Sequence, residues 1–363
     1  MAADTGAAGG RARSPGRAGA AIRDLHPAYF AFVMATGIVS IGTFLLGPSW
    51  LSRALLVVAS AGVVVLGAAV VIRLVRFGPH VVADLHAPER VFGFFTITAG
   101  LDVLGVRLSF AGHPLVTAIL AGVAAAVWLV LTYGVPAGLL LTRARDSVLG
   151  GVNGGWLLWV VSTQSLSVVA STLVATWPAQ SGLLAPFAAG LWSVGLLLYL
   201  LLVSLILLRW LTVPMTPETL GPPYWILMGA TAISVLAGAK ILSLPAPLPA
   251  VRATAGFVEG FSYALWAFGT WWIPLLIVLG FWRHVRQHWP LTYEPTLWSV
   301  VFPLGMYSVA TLSFGKAAHL AFMGPLSRFM LWVAVAAWVL VAAAFGVRLV
   351  RRRPARPSGP PAS

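Results

Sequence analysis

The chain has only two lysines, Lys240 and Lys316, and both fall inside long apolar stretches, as do Asp102 and Glu259. Ionisable side chains in such places either pair with one another or line a path for charged solutes. Two ammonium groups near one end of a path would offset part of the hydration that an anion gives up on entering. The structural alternative is pairing with Asp102 or Glu259, which lie at similar depth, or snorkelling of the lysines toward water. Asp102 has the chemistry of a proton relay in a carrier, or else of one half of an ion pair. Glu259, near the end of its stretch, reads as interfacial, and His319 is a second site for proton sensing. His284 and His288 stand four apart, a spacing that suits a metal on a helix. No third ligand accompanies them, and the flanking Arg283 and Arg286 make the segment a basic membrane-edge extension. Gly150–Gly155 lacks the lysine and spacing of a phosphate-binding loop. With no cysteine in the chain, thiolate metal sites, disulfides and cysteine nucleophiles are excluded. The residues suggest neither an enzyme, nor a bound metal, nor a cofactor.

These side chains must be positioned by membrane elements. Hydrophobic residues make up 59% of the chain and charged ones 9%, which excludes an ordinary soluble protein. Ten apolar stretches at about 27–46, 54–76, 91–108, 115–142, 153–174, 186–208, 224–244, 257–281, 297–319 and 327–349 are each long enough to cross a bilayer. The net charge of +14 would suit nucleic acid, but the arginines sit at the ends of these stretches on alternate turns, a topology signal instead. Arg53, Arg107, Arg252 and Arg328 mark one side. The others, including Arg143, Arg145 and the Arg351–Arg353 run, mark the side that carries both termini. The expected organisation is a basic disordered cytoplasmic tail at 1–25 without the apolar core of a signal peptide, one membrane domain at 26–350, and a Pro-rich tail at 351–363. Lipid is the expected surroundings, and nucleic acid is not an expected partner.

The even-numbered stretches are almost purely aliphatic, whereas the odd-numbered ones carry the hydroxyls, the amide and the charges. Polar groups turn away from hydrocarbon, so the odd helices belong inside and the even ones outside. The odd stretches also repeat. Aligned on Phe30, Phe92, Trp156, Trp225 and Trp298, the sixth residue on is Thr36, Thr98, Ser162, Thr231 and Leu304. The seventh is Gly37, Ala99, Thr163, Ala232 and Gly305. This predicts an all-α integral membrane protein in which five helical hairpins surround a central pore. Close packing between membrane helices would also account for small and hydroxylated residues.

His26–Gly37 (HPAYFAFVMATG), Phe94–Gly105 (FFTITAGLDVLG), Pro222–Lys240 and Phe302–Thr311 (FPLGMYSVAT) resemble the tellurite-resistance/dicarboxylate transporter family across the whole membrane region. The resemblance implies ten helices in five hairpins, a homotrimer with one pore per subunit, and passage of small inorganic or organic anions across the plasma membrane. It also implies a pore blocked midway by a phenylalanine, which matches Phe302 followed by Pro303. A proton-coupled C4-dicarboxylate carrier, or a sulfite or tellurite exporter, is the alternative on the same scaffold. On a straight helix, residues two apart point about 200° away from each other. The pore wall is therefore either the hydroxyl face with Thr36, Thr98, Ser162 and Thr231, or the face with Met34, Thr96, Val160, Gly229 and Phe302, unless Pro303 shifts the frame.

Overall fold

Backbone groups left unpaired in hydrocarbon cost several kcal/mol, so long apolar stretches wind into helices. The computed structural model describes residues 17–141, 148–244 and 249–351. Among these there are ten helices long and apolar enough to cross a membrane, and no strand. They are α1 (Ala31–Leu46), α2 (Ser49–Arg76), α3 (Phe95–Ser109), α4 (Pro114–Leu141), α5 (Leu158–Thr176), α6 (Ser181–Thr212), α7 (Ile226–Leu242), α8 (Pro249–Phe281), α9 (Trp298–Ala317) and α10 (Met323–Arg351). Several even helices exceed the apolar stretch that announces them, because a helix continues into the interface once Pro114 or Pro249 has started it.

All five odd helices are led in by a short 3₁₀ turn: Pro27–Phe30, Val91–Phe94, Gly154–Leu157, Pro222–Trp225 and Pro295–Leu297. Three of these open on proline, which presets φ and needs no N–H partner. The odd helices pack on one another in the order α1, α3, α5, α7, α9 and back to α1, closing a ring. Each even helix packs on the odd helix before it. The apolar windows of the odd spans are 72–94% buried and those of the even spans 17–44%, so an inner ring of odd helices stands inside an outer ring of even ones.

Four of the five hairpins are closed by the same kind of contact, a hydroxyl bonded to the backbone of the neighbouring helix. The Ser40 hydroxyl donates to the Ser52 carbonyl at 2.7 Å, and Ser52 returns the bond at 2.8 Å. Ser308 and Ser327 do the same across α9 and α10, both at 2.8 Å. Thr117 donates to the Gly105 carbonyl and Ser167 to the Ala188 carbonyl, both at 2.7 Å. In the remaining hairpin Gly238 lies against Ser262, with no room for a Cβ. Small residues let the backbones approach until a hydroxyl reaches across. The five lead-in turns and the close approach of each helix pair make the fivefold repeat visible.

Part of the segment expected to be a disordered tail is ordered. Arg17–Arg23 form a short helix whose last carbonyl accepts a 3.0 Å bond from Arg73 Nε. The remaining tail segments, 1–16 and 352–363, lie outside the described residues, as do Arg143 and Arg145.

Candidate functional site

Two cavities lie within the inner ring, one bordered by residues of all five odd helices and the other by the lead-in turns of α1 and α3 and the first residues of α5, α7 and α9. A proximal chamber of about 290 Å³ opens where those helices begin, with Ala28, Phe92, Leu158, Ile226 and Ser299 in its wall. A distal cavity of about 100 Å³ lies nearer their far ends, with Ile38, Asp102, Ser165, Ile233 and Met306. The five N-termini all face the proximal chamber, so five parallel helix dipoles point their positive ends at it.

Helical periodicity identifies what separates the cavities. On α9, Ser299, Phe302 and Met306 share one face, and Phe302 borders neither cavity. Counting four residues from the start of each odd α-helix gives Ala35, Ala99, Ser162, Ala230 and Phe302. All five are buried, Phe302 to 1% exposure. By this count the level between the cavities corresponds to four small residues and one aromatic ring.

The expected pore residues divide accordingly. Met34 is buried, and Gly229 of α7 packs against Pro303 of α9. Thr36, Thr98 and Thr231 face outward: Trp338 Nε1 of α10 donates to Thr36 Oγ1 at 3.0 Å, Thr98 donates to the Ala124 carbonyl of α4 at 3.3 Å, and Thr231 lies against Gly269 of α8. Ser162 is axial, but its hydroxyl donates to the Trp159 carbonyl of its own helix at 2.9 Å. Thr96 donates to the Gly93 carbonyl at 2.7 Å. Gly37 receives Val103, Gly305 receives Ile38, and Gly229 receives the ring of Pro303. Val160 is buried one position off the axial face, which Val161 and Ser162 occupy. The reason is the lead-in turn. A 3₁₀ residue advances by 120° rather than 100°, and the aligned aromatics stand at different places relative to the 3₁₀ turn, from Phe92 within it to Trp298 after it. Alignment on the aromatics therefore mixes two faces.

The charged residues separate as well. Asp102, 1% exposed, accepts a 2.6 Å bond from Ser165 on Oδ2, and its Oδ1 has no hydrogen-bond partner among the described residues. Lys240 borders the same cavity with its ammonium 5.4 Å from the centre of the Phe110 ring, and Lys316, also at the rim, is exposed. Among the described residues neither lysine has a carboxylate within 4.0 Å, so the alternative of pairing with Asp102 or Glu259 is not formed. Glu259 is exposed on α8, in a groove with Gly256, Gly260 and Tyr263. His284 Nδ1 lies 2.9 Å from the Trp289 carbonyl, and His288 has φ 52° beyond the end of the helix, so the two do not share a helical face. His319, with φ 57°, is exposed.

Three arginines went unnoticed as site candidates because they counted only toward topology. Arg107, read as an interfacial marker, is 3% exposed between α1, α2 and α3. It donates to Ser40 Oγ at 3.1 Å and Ser52 Oγ at 2.9 Å, lies over Phe44, and leaves Nη1 without a partner. Arg209 and Arg283 border the proximal chamber. The signal available beforehand was an arginine at the end of α2, α6, α8 and α10. Arg73 there binds Asp84 at 2.6 Å and Arg348 donates to the Tyr293 carbonyl at 2.9 Å. At the chamber rim, His26 Nδ1 accepts the Ala28 N–H at 3.1 Å and caps the first 3₁₀ turn. Burial, helped by Arg90, pushes His26 down to about 4, keeping the imidazole neutral.

Residues 24–345 match the voltage-dependent anion channel family. The chain belongs to that family. The match spans all ten helices and bears out the resemblance carried by the motifs. An uncharacterized membrane protein of Mycobacterium tuberculosis is 50% identical over 143 residues, 39% of this chain and 72% of that protein. An uncharacterized transporter of Methanocaldococcus jannaschii is 24% identical over 298 residues, covering 79% and 82% of the two chains. A second transporter of that organism is 23% identical over 245 residues, covering 66% and 69%. As a member of the voltage-dependent anion channel family, the chain is a multi-pass membrane protein of a transporter family.

Proposed function

We propose that the chain passes small anions through the axis of its inner ring, with Phe302 as a hydrophobic gate. What supports this reading is the helical register: buried Phe302 borders neither cavity and counts level with Ala35, Ala99, Ser162 and Ala230 on the other inner helices. A ring that swings away from four small neighbours leaves a gap, whereas a layer of five large side chains would not. The positive ends of five helices on one side, and Lys240 and Lys316 on the other, favour negative solutes. In this reading the proximal side is cytoplasmic, both termini lie there, the membrane is the plasma membrane, and the working unit is the homotrimer that the family resemblance implies.

Phe302→Ala in proteoliposomes should raise anion flux at least about tenfold by removing the ring from the layer. Unchanged flux, with the protein folded and inserted, rejects the gate. The unpartnered Oδ1 of Asp102 in the distal cavity favours a second reading, a proton-coupled carrier of C4-dicarboxylates or an exporter of sulfite or tellurite. Asp102→Asn would then abolish proton movement with substrate while leaving exchange.

A further inference from the structure

Arg283, in the π turn Trp282–Arg286 after α8, is buried and plays no part in the gate. Its Nε has no hydrogen-bond partner among the described residues. Its Nη2 is 3.8 Å from Glu294 Oε1, long for a charge-assisted bond. A buried N–H left unpaired is costly, so a group that accepts from it is held there. Besides the proximal chamber, Arg283 borders a second space, a cleft of about 130 Å³ between the end of α8 and the starts of α7 and α9. Leu276, Leu279, Gly280 and Arg283 recur at helical spacing, so one face of α8 forms one wall. Trp225 and Val300 stand in the other. The cleft is graded in polarity. Leu276 lies about 10 Å deeper along α8 than Arg283, at 1.5 Å per residue. The deep end is apolar, whereas the shallow end has Arg283 and His284, with Arg286 exposed in the same turn. The flank of α8 beside the cleft is exposed and apolar, Val278 at 61% and Phe281 at 63%, as a lipid-facing surface is. At Gly280 the wall is open, because a Cβ there would meet nothing within 4 Å.

We propose that this cleft binds one anionic phospholipid from the proximal leaflet, with its phosphate on Arg283 and the upper part of an acyl chain against Leu276, Gly280 and Val300. An apolar slot that ends in cations at the membrane edge is the complement of such a lipid. A free phosphate would gain nothing from the apolar length of the cleft, and a zwitterionic lipid would bring its own cation to Arg283 and Arg286. Glu294, whose side chain is 42% exposed, offsets the guanidinium only in part. The site lies on the flank of the bundle and stands whether or not the axis conducts. A lipid seated there ties the outer helix α8 to the inner helices α7 and α9 at their lead-in turns.

The test uses the full chain in a neutral detergent, titrated with phosphatidylglycerol or phosphatidylcholine of the same acyl chains, with bound lipid counted by native mass spectrometry. Phosphatidylglycerol should fill one site per chain at a concentration at least about fivefold lower than phosphatidylcholine. Arg283→Gln should raise the half-filling concentration of phosphatidylglycerol about tenfold and leave that of phosphatidylcholine unchanged. Gly280→Leu places a side chain in the open slot and should weaken both lipids. Arg328→Gln, at the distal end, should change neither. Equal filling by the two lipids overturns the proposal, as does a Gly280→Leu variant that binds phosphatidylglycerol as the parent chain does. Should Arg283→Gln fail to fold, Gly280→Leu still decides. Displacement of the bound lipid by sodium phosphate, with sodium chloride of equal ionic strength inactive, would assign Arg283 to free phosphate and reject the lipid.

Discussion

At the level of single residues, the sharpest electrostatic feature is Arg107. Its charge is buried with no carboxylate partner among the described residues and is held by Ser40 and Ser52, which also close the α1–α2 hairpin. Ser52→Ala removes an acceptor from a desolvated cation and should lower stability by about 2 kcal/mol, read as a lower unfolding midpoint in detergent. Arg107→Met removes the desolvated charge itself and should leave the midpoint unchanged or raise it. If the guanidinium adds to the positive field at the distal cavity, the same variant should lower anion flux. Equal losses of stability in the two variants would mean that Arg107 acts through packing alone.

At the level of elements, the 3₁₀ lead-ins set the phase of every inner helix. Two of them touch directly: a Cβ on Gly154 would meet the backbone of Pro223 and Tyr224. Backbone cannot step aside as a side chain can, so Gly154→Ala should cost about 2 kcal/mol or more, measured by unfolding. His26 caps the first lead-in as a neutral imidazole. Its folded value of about 4 lies below the ordinary 6.5. Between those values the unfolded chain binds more protons than the folded one. The contribution is therefore complete above pH 6.5 and falls as the pH drops toward 4, by at most about 3 kcal/mol. His26→Asn keeps a capping side chain without a titration, so its unfolding midpoint should lose that part of the pH dependence.

At the level of the molecule, an inner ring of parallel helices gives the two ends opposite characters. The proximal end has five positive helix termini and buried arginines. The distal end has two lysines, Asp102 and the negative ends of the same helices. Ten candidate spans predict that both ends of the membrane domain lie on one side. The absence of cysteine makes this directly measurable. Tags at either end should be reached from the same face of the membrane, and His113→Cys, in the turn between α3 and α4, should label only from the other. Labelling of His113→Cys from the side of the tags would break the count of spans.

The sequence by itself determined how many helices cross, which ones lie inside, and that five hairpins repeat. Those properties follow from transfer free energy and polar content, which accumulate locally along the chain. Only the tertiary structure decided which face of each inner helix meets the axis. A single 3₁₀ residue turns the phase by about 20°, and sequence alignment on Phe92 or Trp298 does not reveal how many such residues each helix contains. That is why Phe302 was legible as a gate candidate from its motif, while its layer partners Ala35, Ala99 and Ala230 were not. The contacts of the charged residues were equally hidden. Asp102 meets Ser165 and Arg107 meets Ser40 from more than sixty positions away, and Arg209 and Arg283 come into one chamber only when the ring closes.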